Sequence, residues 1–361
     1  MKILVFGAGV LGSLYAARLQ DAGHEVTILA RGKRLEQIRE HGIVLLDSSS
    51  GLQTSTQTGV VETLGPEDEY DLALVVVRKS QLADALPLLS VNRRIPSFLF
   101  LVNNAAGPAA LIEAVGRERV VLGFPGAGGT RQGYFVEYAQ VSGNTQPTTI
   151  GELDGARTAR VEHIAMALRE AGFPVSICSN MDAWLKTHVA LVSPIANALY
   201  LADGDNYRLS KTRDGVVLMV RAIREGLKVL QASGIPITPA KYRYLSLLPE
   251  PVLVRMLQKG LATQRAELVL ARHANAARDE MGLLADEFKR LAARSGVPTP
   301  SMDLLASYVD PETPSLSEGS ASLSQNWHGL WAIVGGVALL NLGLGLLITR
   351  GRKKHSPTSK E

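Results

Sequence analysis

Three glycines near the start of the chain have a spacing that can hold phosphate groups. Gly7, Gly9 and Gly12 in "GAGVLG" follow the apolar run "KILVF" and open the helical stretch "SLYAARLQDAG". The next stretch, "HEVTILA", is typical of a strand, so the glycines lie inside a βαβ unit of about thirty residues. There the first glycine permits a tight turn, the second admits a pyrophosphate and the third allows close packing of helix and strand. These glycines, with Val10 and Leu11 between them, predict a dinucleotide-binding loop.

The end of the second strand indicates which dinucleotide binds. NAD-binding chains usually place a carboxylate there for the ribose 2′-hydroxyl. This chain instead reads "ILARGKR", which supplies Arg31, Lys33 and Arg34 and no acid. Arginine can bind a phosphate with its planar fork. The sequence therefore predicts NADPH/NADP as the cofactor, with Arg31 at the 2′-phosphate; a solvated basic turn is the alternative.

A lysine interrupts an apolar helical run in the second half of the chain. The run "AWLKTHVALVSPIANALY", residues 183–200, carries Lys186 as its only charge. An ammonium group is costly to bury without a partner. One interpretation is that the helix lines a cleft, where Lys186 stabilises negative charge and supplies a proton. The other is a lysine that extends from a helix edge to solvent.

Strands alternate with helices up to about residue 180. The runs "DLALVVV", "SFLFLV" and "RVVLGF" are separated by helical stretches such as "SQLADALPLL". This alternation predicts an α/β, doubly wound parallel sheet of Rossmann type over residues 1–180. "SSSG" indicates a hairpin tip, and the stretch from "GTRQGYFVEYAQ" to "PTTIGELDG" indicates antiparallel β structure. Long apolar-periodic segments then predict an all-helical substrate domain over 181–307.

The C-terminal end differs in composition from both domains. Residues 308–328 are rich in Pro, Ser and Gly, which predicts a flexible linker. Residues 329–349 form 21 uncharged positions, followed by a basic tail at 350–361. That length predicts one transmembrane helix and the lipid bilayer as a partner; a buried core helix is the alternative.

Charge and cysteine content exclude other classes. The net charge of +4 resides in the basic tail, which has five Lys/Arg and one Glu, so the rest of the chain is neutral overall. A neutral body argues against a nucleic-acid surface. Cys178 is the single cysteine, and no His/Cys cluster has ligand spacing, so we expect neither a disulfide nor a metal site. The oligomeric state stays open, a homodimer included.

The motifs together resemble the ketopantoate reductase (2-dehydropantoate 2-reductase) family over roughly residues 1–307. The resemblance is carried by the glycine loop, "VVVRKSQ", "LFLVNNAAG", "IGE" and "WLKTHVALVSPIANAL". It implies reduction of a 2-keto acid with NADPH, with Lys186 as general acid and Glu280 of "ARDEMGLLADEF" binding the substrate hydroxyl. It also implies that Asn104 lies near the nicotinamide and that Arg78, or else Lys79, lies near cofactor and substrate. A one-residue slip would move the glutamate's role to Asp279.

The chain departs from the family pattern at three polar positions. Where the family usually has two asparagines and a serine, this chain has Ala190, Pro194 and Leu268. Ser193 and Asn197 lie seven and eleven residues past Lys186 and return to nearly its direction around a helix. We therefore expect these two residues to bind the substrate, which would be a different or bulkier 2-keto acid.

Two functions follow as hypotheses. The first is a membrane-tethered 2-keto acid reductase. The second is a membrane-anchored NADP-binding sensor or scaffold that has lost turnover. The basic tail favours a cytoplasmic C-terminus by the positive-inside rule. The absence of an N-terminal signal peptide and the cytosolic cofactor favour a cytoplasmic main domain, which is the orientation we predict.

Overall fold

The described part of the chain folds into two sheets and a set of helices. A computed structural model describes residues 1–141, 143 and 146–327. The strands are β1 (Lys2–Phe6), β2 (Glu25–Leu29), β3 (Ile43–Asp47), β4 (Gln53–Thr56), β5 (Gly59–Val61), β6 (Leu72–Val75), β7 (Phe98–Leu101), β8 (Val120–Phe124), β9 (Ala127–Gln132), β10 (Phe135–Gln140), β11 (Thr148–Glu152) and β12 (Val175–Ile177).

Helices flank the sheets in the first half and dominate the second. They are α1 (Val10–Asp21), α2 (Gly32–His41), α3 (Lys79–Ser90), α4 (Ala109–Val115), α5 (Ala159–Glu170), α6 (Met181–Leu201), α7 (Asn206–Lys211), α8 (Arg213–Ala232), α9 (Tyr244–Leu247), α10 (Glu250–Leu261), α11 (Gln264–Ala266), α12 (Arg272–Ala276), α13 (Arg278–Ser295) and α14 (Pro300–Ala306). A π-helical turn, Glu267–Ala271, joins α11 to α12.

The larger sheet has eight strands in the order β12-β11-β8-β7-β6-β1-β2-β5. All its pairs are parallel except β8 with β11. The central strands carry buried side chains on both faces, as helices on both sides of a parallel sheet require. The predicted doubly wound α/β architecture is therefore confirmed.

The smaller sheet has four strands in the order β4-β3-β10-β9. Strands β3 and β4 pair antiparallel across the predicted turn, and β9 with β10 forms a second antiparallel pair. The antiparallel structure expected between 129 and 155 divides between the two sheets, because β11 joins β8 in the larger one. The smaller sheet lies beside α1, so it borders the glycine loop.

Helix α6 is the central element of the helical domain. Asn180 begins it by accepting a hydrogen bond at Oδ1 from the Ala183 amide at 2.9 Å. Most of its 21 residues are buried, and its side chains join those of α8, α13 and α14 in one apolar core. A domain of this composition matches the predicted helical half.

Residues 310–327 contain no helix or strand, yet they are held against the helical domain. Asp214 accepts hydrogen bonds from the Ser320 and Ser322 hydroxyls and from the Ser322 and Leu323 amides. Arg208 donates to the Leu316 carbonyl at 2.8 Å. This packing differs from the flexible linker expected over 308–328. The buried carboxylate of Asp214, on the first turn of α8, supplies the acceptors that the linker composition did not reveal.

The predicted transmembrane helix, 329–349, and the basic tail, 350–361, lie outside the described residues. Within the described part of the chain, no helix is both long enough and apolar enough to cross a membrane.

Candidate active site

The glycine loop connects β1 to α1, and its three glycines meet different constraints. Gly7 has φ of +115°, and a side chain there would meet the Val76 carbonyl oxygen at 2.3 Å. At Gly12, a Cβ would stand 1.8 Å from the Gly7 carbonyl oxygen. Gly9 caps α1 and faces open space, with nothing within 4 Å of a Cβ. The loop thus leaves room for a phosphate at the N-terminus of α1, beside the Val10 and Leu11 amides.

The basic cluster after β2 divides into structural and exposed members. Arg34 is buried and donates to the Ala8 carbonyl at 3.3 Å, the Tyr134 carbonyl at 2.8 Å and the Ser13 hydroxyl at 2.9 Å. Burial, and to a lesser extent Arg131 nearby, lower the pKa of Arg34 to about 10. Its donors hold the glycine loop against the β9–β10 turn. Of the basic cluster, Arg34 is therefore engaged within the protein.

Arg31 and Lys33 remain exposed at the start of α2. They are the members of the cluster that could bind a phosphate from solvent. Arg131 on β9 is also exposed and lies close enough to Arg34 to affect its pKa. No local pattern indicated Arg131, because β9 reaches this place only through the second sheet.

Lys79 lies at the centre of the polar groups at the carboxyl edge of the large sheet. Its side chain is 11% exposed, and its Nζ donates to Asn104 Oδ1 at 2.9 Å and pairs with Glu287 Oε1 at 3.0 Å. The preceding Arg78 is more exposed and lies 3.9 Å from Asp279. Of the two alternatives for the basic residue after β6, Lys79 is thus paired within the protein, whereas Arg78 is exposed.

Glu280 reaches the same edge from α13. It is 3% exposed, and its Oε1 accepts hydrogen bonds from the Lys79 amide at 3.2 Å and from Asn103 Nδ2 at 3.1 Å. The Lys79 amide is the first of α3, where the helix dipole favours an anion. Asp279 instead faces Arg78, so the structure places Glu280, not its neighbour, beside the strand ends.

A second glutamate on α13 holds the loop after β7. Glu287 Oε2 accepts from the Ala105 and Ala106 amides at 3.1 Å each. In this loop Asn104 donates to the Gly107 carbonyl at 2.7 Å. Both polar groups of Asn104 are thus engaged within the protein. Asn103 differs, because its buried Oδ1 has no hydrogen-bond partner among the described residues.

Lys186 lies beside the same loop on α6. Its side chain is 13% exposed, and its Nζ pairs with Asp182, one turn earlier on the helix. A Cβ on Gly107 would stand 3.7 Å from Lys186 Nζ. The ammonium is therefore tolerated because Asp182 compensates it and the helix borders the loop. No hydrogen bond between Lys186 and Glu280 occurs in the described part of the chain.

Two histidines lie near each other, His188 on α6 and His273 on α12. The His188 ring lies 4.1 Å from the Phe124 ring and stacks on Trp184, with centroids 5.3 Å apart. Burial, and secondarily His273, lower the pKa of His188 to about 3. His273 is an exposed residue, but nearby protein partly desolvates the charged form of its ring. This desolvation lowers the pKa of His273, with Glu280 opposing and Arg78 adding to the shift.

Ser193 and Asn197 lie elsewhere on α6. Both are buried and line a cavity of about 310 Å³ together with the side of α13 that carries Asp286, Phe288 and Lys289. Glu280 and Glu287 face the other way, toward α3 and the loop after β7. Ser193 and Asn197 lie in nearly the same direction as Lys186 around α6. They are, however, displaced from Lys186 by about 10 and 16 Å along the helix axis. The described contacts therefore do not bring these two residues to Lys186.

Ala190 is one of the positions that depart from the family pattern, and its packing gives a physical reason for the departure. A Cβ on Gly226 of α8 would lie 3.2 Å from both the Cβ and the carbonyl oxygen of Ala190. Helices α6 and α8 are thus in close contact there, which leaves no space for an asparagine. Pro194 lies within α6 and lines the 310 Å³ cavity.

The arrangement fits a nicotinamide dinucleotide. The open space at Gly9 follows β1, and the unpartnered Asn103 acceptor follows β7, two strands away along the carboxyl edge of the same sheet. Ammonium, guanidinium, carboxylate and imidazole groups lie near one another at this edge. The fold and this site together define a dinucleotide-dependent oxidoreductase with a helical second domain.

Comparison with known proteins agrees with this class. The model of the family described as ketopantoate reductase PanE/ApbA matches residues 3–155. The 2-dehydropantoate 2-reductase of Archaeoglobus fulgidus is 30% identical over 212 residues, covering 57% of this chain and 67% of that protein. The enzyme of that name from Halobacterium salinarum is 28% identical over 239 residues, covering 66% and 78%. The chain belongs to the ketopantoate reductase PanE/ApbA family.

Solved structures share the fold. A 2-dehydropantoate 2-reductase from Geobacter metallireducens superposes with a TM-score of 0.71 at 18% identity, covering 87% of this chain and all of that one. D-mandelate dehydrogenase in complex with NADH and anilino(oxo)acetate gives a TM-score of 0.68 at 18% identity, covering 86% and 97%. Both superpositions cover the sheet domain and the helical domain. Family membership supports the nicotinamide cofactor that the glycine loop predicts.

Proposed function

We propose that this protein reduces a 2-keto acid to a 2-hydroxy acid with NADPH. The proposal rests on one observation: Glu280 accepts hydrogen bonds at the ends of β6 and β7, from the Lys79 amide and Asn103, and the loop after β7 continues to Gly107, which borders Lys186. The homologues named 2-dehydropantoate 2-reductase support the reaction class. Ketopantoate itself is not implied, because Ala190 and Leu268 replace polar residues of the family.

The cofactor would supply a hydride to the carbonyl carbon. Negative charge then develops on the carbonyl oxygen, and an ammonium nearby stabilises that charge more in the transition state than in the ground state. Lys186 Nζ would donate the proton that turns this oxygen into a hydroxyl. Asp182 is 37% exposed and would favour renewed protonation of Lys186 from solvent.

Substrate orientation would depend on the groups around the strand ends. Glu280 would accept a hydrogen bond from the hydroxyl, since its Oε1 is fixed by the Lys79 amide and Asn103. Arg78 is the exposed cation of the cleft and would bind the substrate carboxylate or the cofactor. Asn104 would act by shaping the loop, because its own amide is already engaged. Ser193 and Asn197 would not contact the substrate.

NADPH would be preferred over NADH. Arg31 and Lys33 are exposed at the end of β2, where the 2′-phosphate of a bound dinucleotide would lie. No carboxylate stands in "ILARGKR" to favour a free ribose hydroxyl.

The second candidate is an NADP-binding sensor without turnover. It is favoured by the pairing of Lys186 with Asp182 and by the close packing at Ala190, both of which remove groups that could contact a substrate. The two functions share the cofactor site and differ in chemistry alone.

NADPH oxidation with a panel of 2-keto acids separates them. The panel should include straight, branched and aromatic side chains, and NADPH binding should be titrated on the same preparation. We expect turnover with at least one acid, and a large loss in Lys186→Ala with Lys211→Ala, an exposed lysine on α7, unchanged. Tight NADPH binding with no turnover of any acid would favour the sensor.

A membrane tether is a further part of this proposal and rests on the sequence alone. The 21 uncharged residues at 329–349 would anchor the chain, with the main domain in the cytoplasm. Protease added to intact cells should leave residues 1–327 whole. Their digestion would refute the orientation.

A further inference from the structure

One surface of the helical domain combines exposed apolar and basic side chains. Val252, Arg255, Met256 and Lys259 of α10 line a shallow groove of about 330 Å³ together with Trp327. Val252, Met256 and Trp327 are 38%, 57% and 52% exposed. We call these five residues the α10 face. Apolar side chains that share an exposed groove mark an interaction site more often than isolated ones do.

The spacing on α10 separates the two kinds of side chain. Val252 and Met256 lie four residues apart on one stripe of the helix, and Arg255 and Lys259 form the neighbouring stripe. The opposite side of α10 is buried, with Leu253 and Val254 in the core. An amphipathic helix thus has a second, solvent-facing apolar stripe, and cations flank it.

The surrounding segment is strongly basic. Residues 241–265 contain five basic side chains, Lys241, Arg243, Arg255, Lys259 and Arg265, and one acid. That acid, Glu250, is 3% exposed and paired with Arg221 at 2.9 Å. The exposed charge of this segment is therefore positive, which complements an anionic surface.

The α10 face also lies where the chain leaves the described structure. Trp327 is the last described residue, and the sequence continues with the 21 uncharged residues 329–349. Tryptophan is enriched at the boundary between lipid and water. A groove that contains Trp327 is consequently held near the point from which this apolar segment starts.

We propose that the α10 face docks on the surface of a lipid bilayer that contains anionic headgroups. Val252, Met256 and Trp327 enter the boundary between headgroups and acyl chains, and Arg255 and Lys259 contact the anionic headgroups. This contact fixes the orientation of the helical domain relative to the membrane. It does not depend on the reductase activity.

Site-directed fluorescence on the full chain tests the proposal. In a Cys178→Ser background, Met256→Cys and Val252→Cys carry a polarity-sensitive dye, and the protein is reconstituted into phosphatidylcholine vesicles with or without phosphatidylserine. Met166→Cys is the matched control, since Met166 is 50% exposed on α5 of the first domain. Spin-labelled lipids serve as quenchers, and circular dichroism checks that each variant is folded.

The expected result is a blue shift and lipid quenching at positions 252 and 256, stronger with phosphatidylserine, and neither effect at 166. Arg255→Gln with Lys259→Gln should lower the docked-to-undocked ratio by roughly fivefold for each cation removed. Equal quenching at all three positions, or none at 252 and 256, would overturn the proposal. A blue shift without lipid quenching would also overturn it, because another part of this chain or a second copy would then cover the face.

Discussion

Glu287 binds the Lys79 ammonium and the Ala105 and Ala106 amides, and we call these contacts the Glu287 clamp. The clamp allows a quantitative prediction about stability. Its carboxylate is 6% exposed and receives the Lys79 ammonium at 3.0 Å and two amides at 3.1 Å. Glu287→Ala leaves a buried ammonium without its carboxylate, and breaking such a pair costs about 3–5 kcal/mol. The two amides add less than their usual penalty of about 1–3 kcal/mol each, because Ala106 borders solvent. The ion pair dominates this sum, so we expect the free energy of unfolding to fall by at least about 3–5 kcal/mol.

Equilibrium urea unfolding of Glu287→Ala and Lys79→Met, with the double variant, measures this energy. The cycle should give a coupling of roughly 0.5–3 kcal/mol, as contacting residues do. Asp286→Ala is the control, since the neighbouring Asp286 is exposed and should change stability by less than about 0.5 kcal/mol. A loss below about 1 kcal/mol in Glu287→Ala would refute the clamp, as would equal losses at positions 286 and 287.

Two further predictions concern the cofactor and pH. Arg31→Asp should weaken NADPH binding by about 1–3 kcal/mol, the scale of hydrogen bonds to charged groups, and leave NADH binding intact; fluorescence titration measures both, and equal losses would refute the assignment. Burial lowers the pKa of His188 from 6.5 to about 3, so the folded state resists protonation. Stability should therefore be full above pH 6.5 and fall below it by up to about 1.4 kcal/mol per pH unit for this group. His188→Gln should flatten that fall in urea unfolding, whereas His163→Gln, on the surface of α5, should not; identical pH profiles would contradict the shift.

The sequence could predict those features of the fold that depend on residues close together in the chain. The βαβ unit was predictable because strand, glycine spacing and helix follow one another directly. The position of Lys186 on a helix was predictable because a lone charge in an apolar helical run is visible without a structure. In each case the informative residues are neighbours in the sequence.

What could not be predicted depends on distant pairing. Glu287 meets the Ala105 amide across 182 residues, and Arg34 meets the Tyr134 carbonyl across 100. No local feature marks either contact, although the seven-residue spacing of Glu280 and Glu287 places both on one side of α13 and could have indicated a shared role. Ser193 and Asn197 line the 310 Å³ cavity because direction around a helix does not determine position along it.

The central claim is tested most directly by following hydride transfer. Wild-type protein is incubated with NADPH carrying deuterium at the transferred position of the nicotinamide and with each 2-keto acid that consumes NADPH. We predict that mass spectrometry finds one deuterium at C2 of the hydroxy acid, and that Lys186→Ala slows this transfer by on the order of 10² while binding NADPH with unchanged affinity. Product without deuterium, or transfer at the wild-type rate in Lys186→Ala, would contradict the claim.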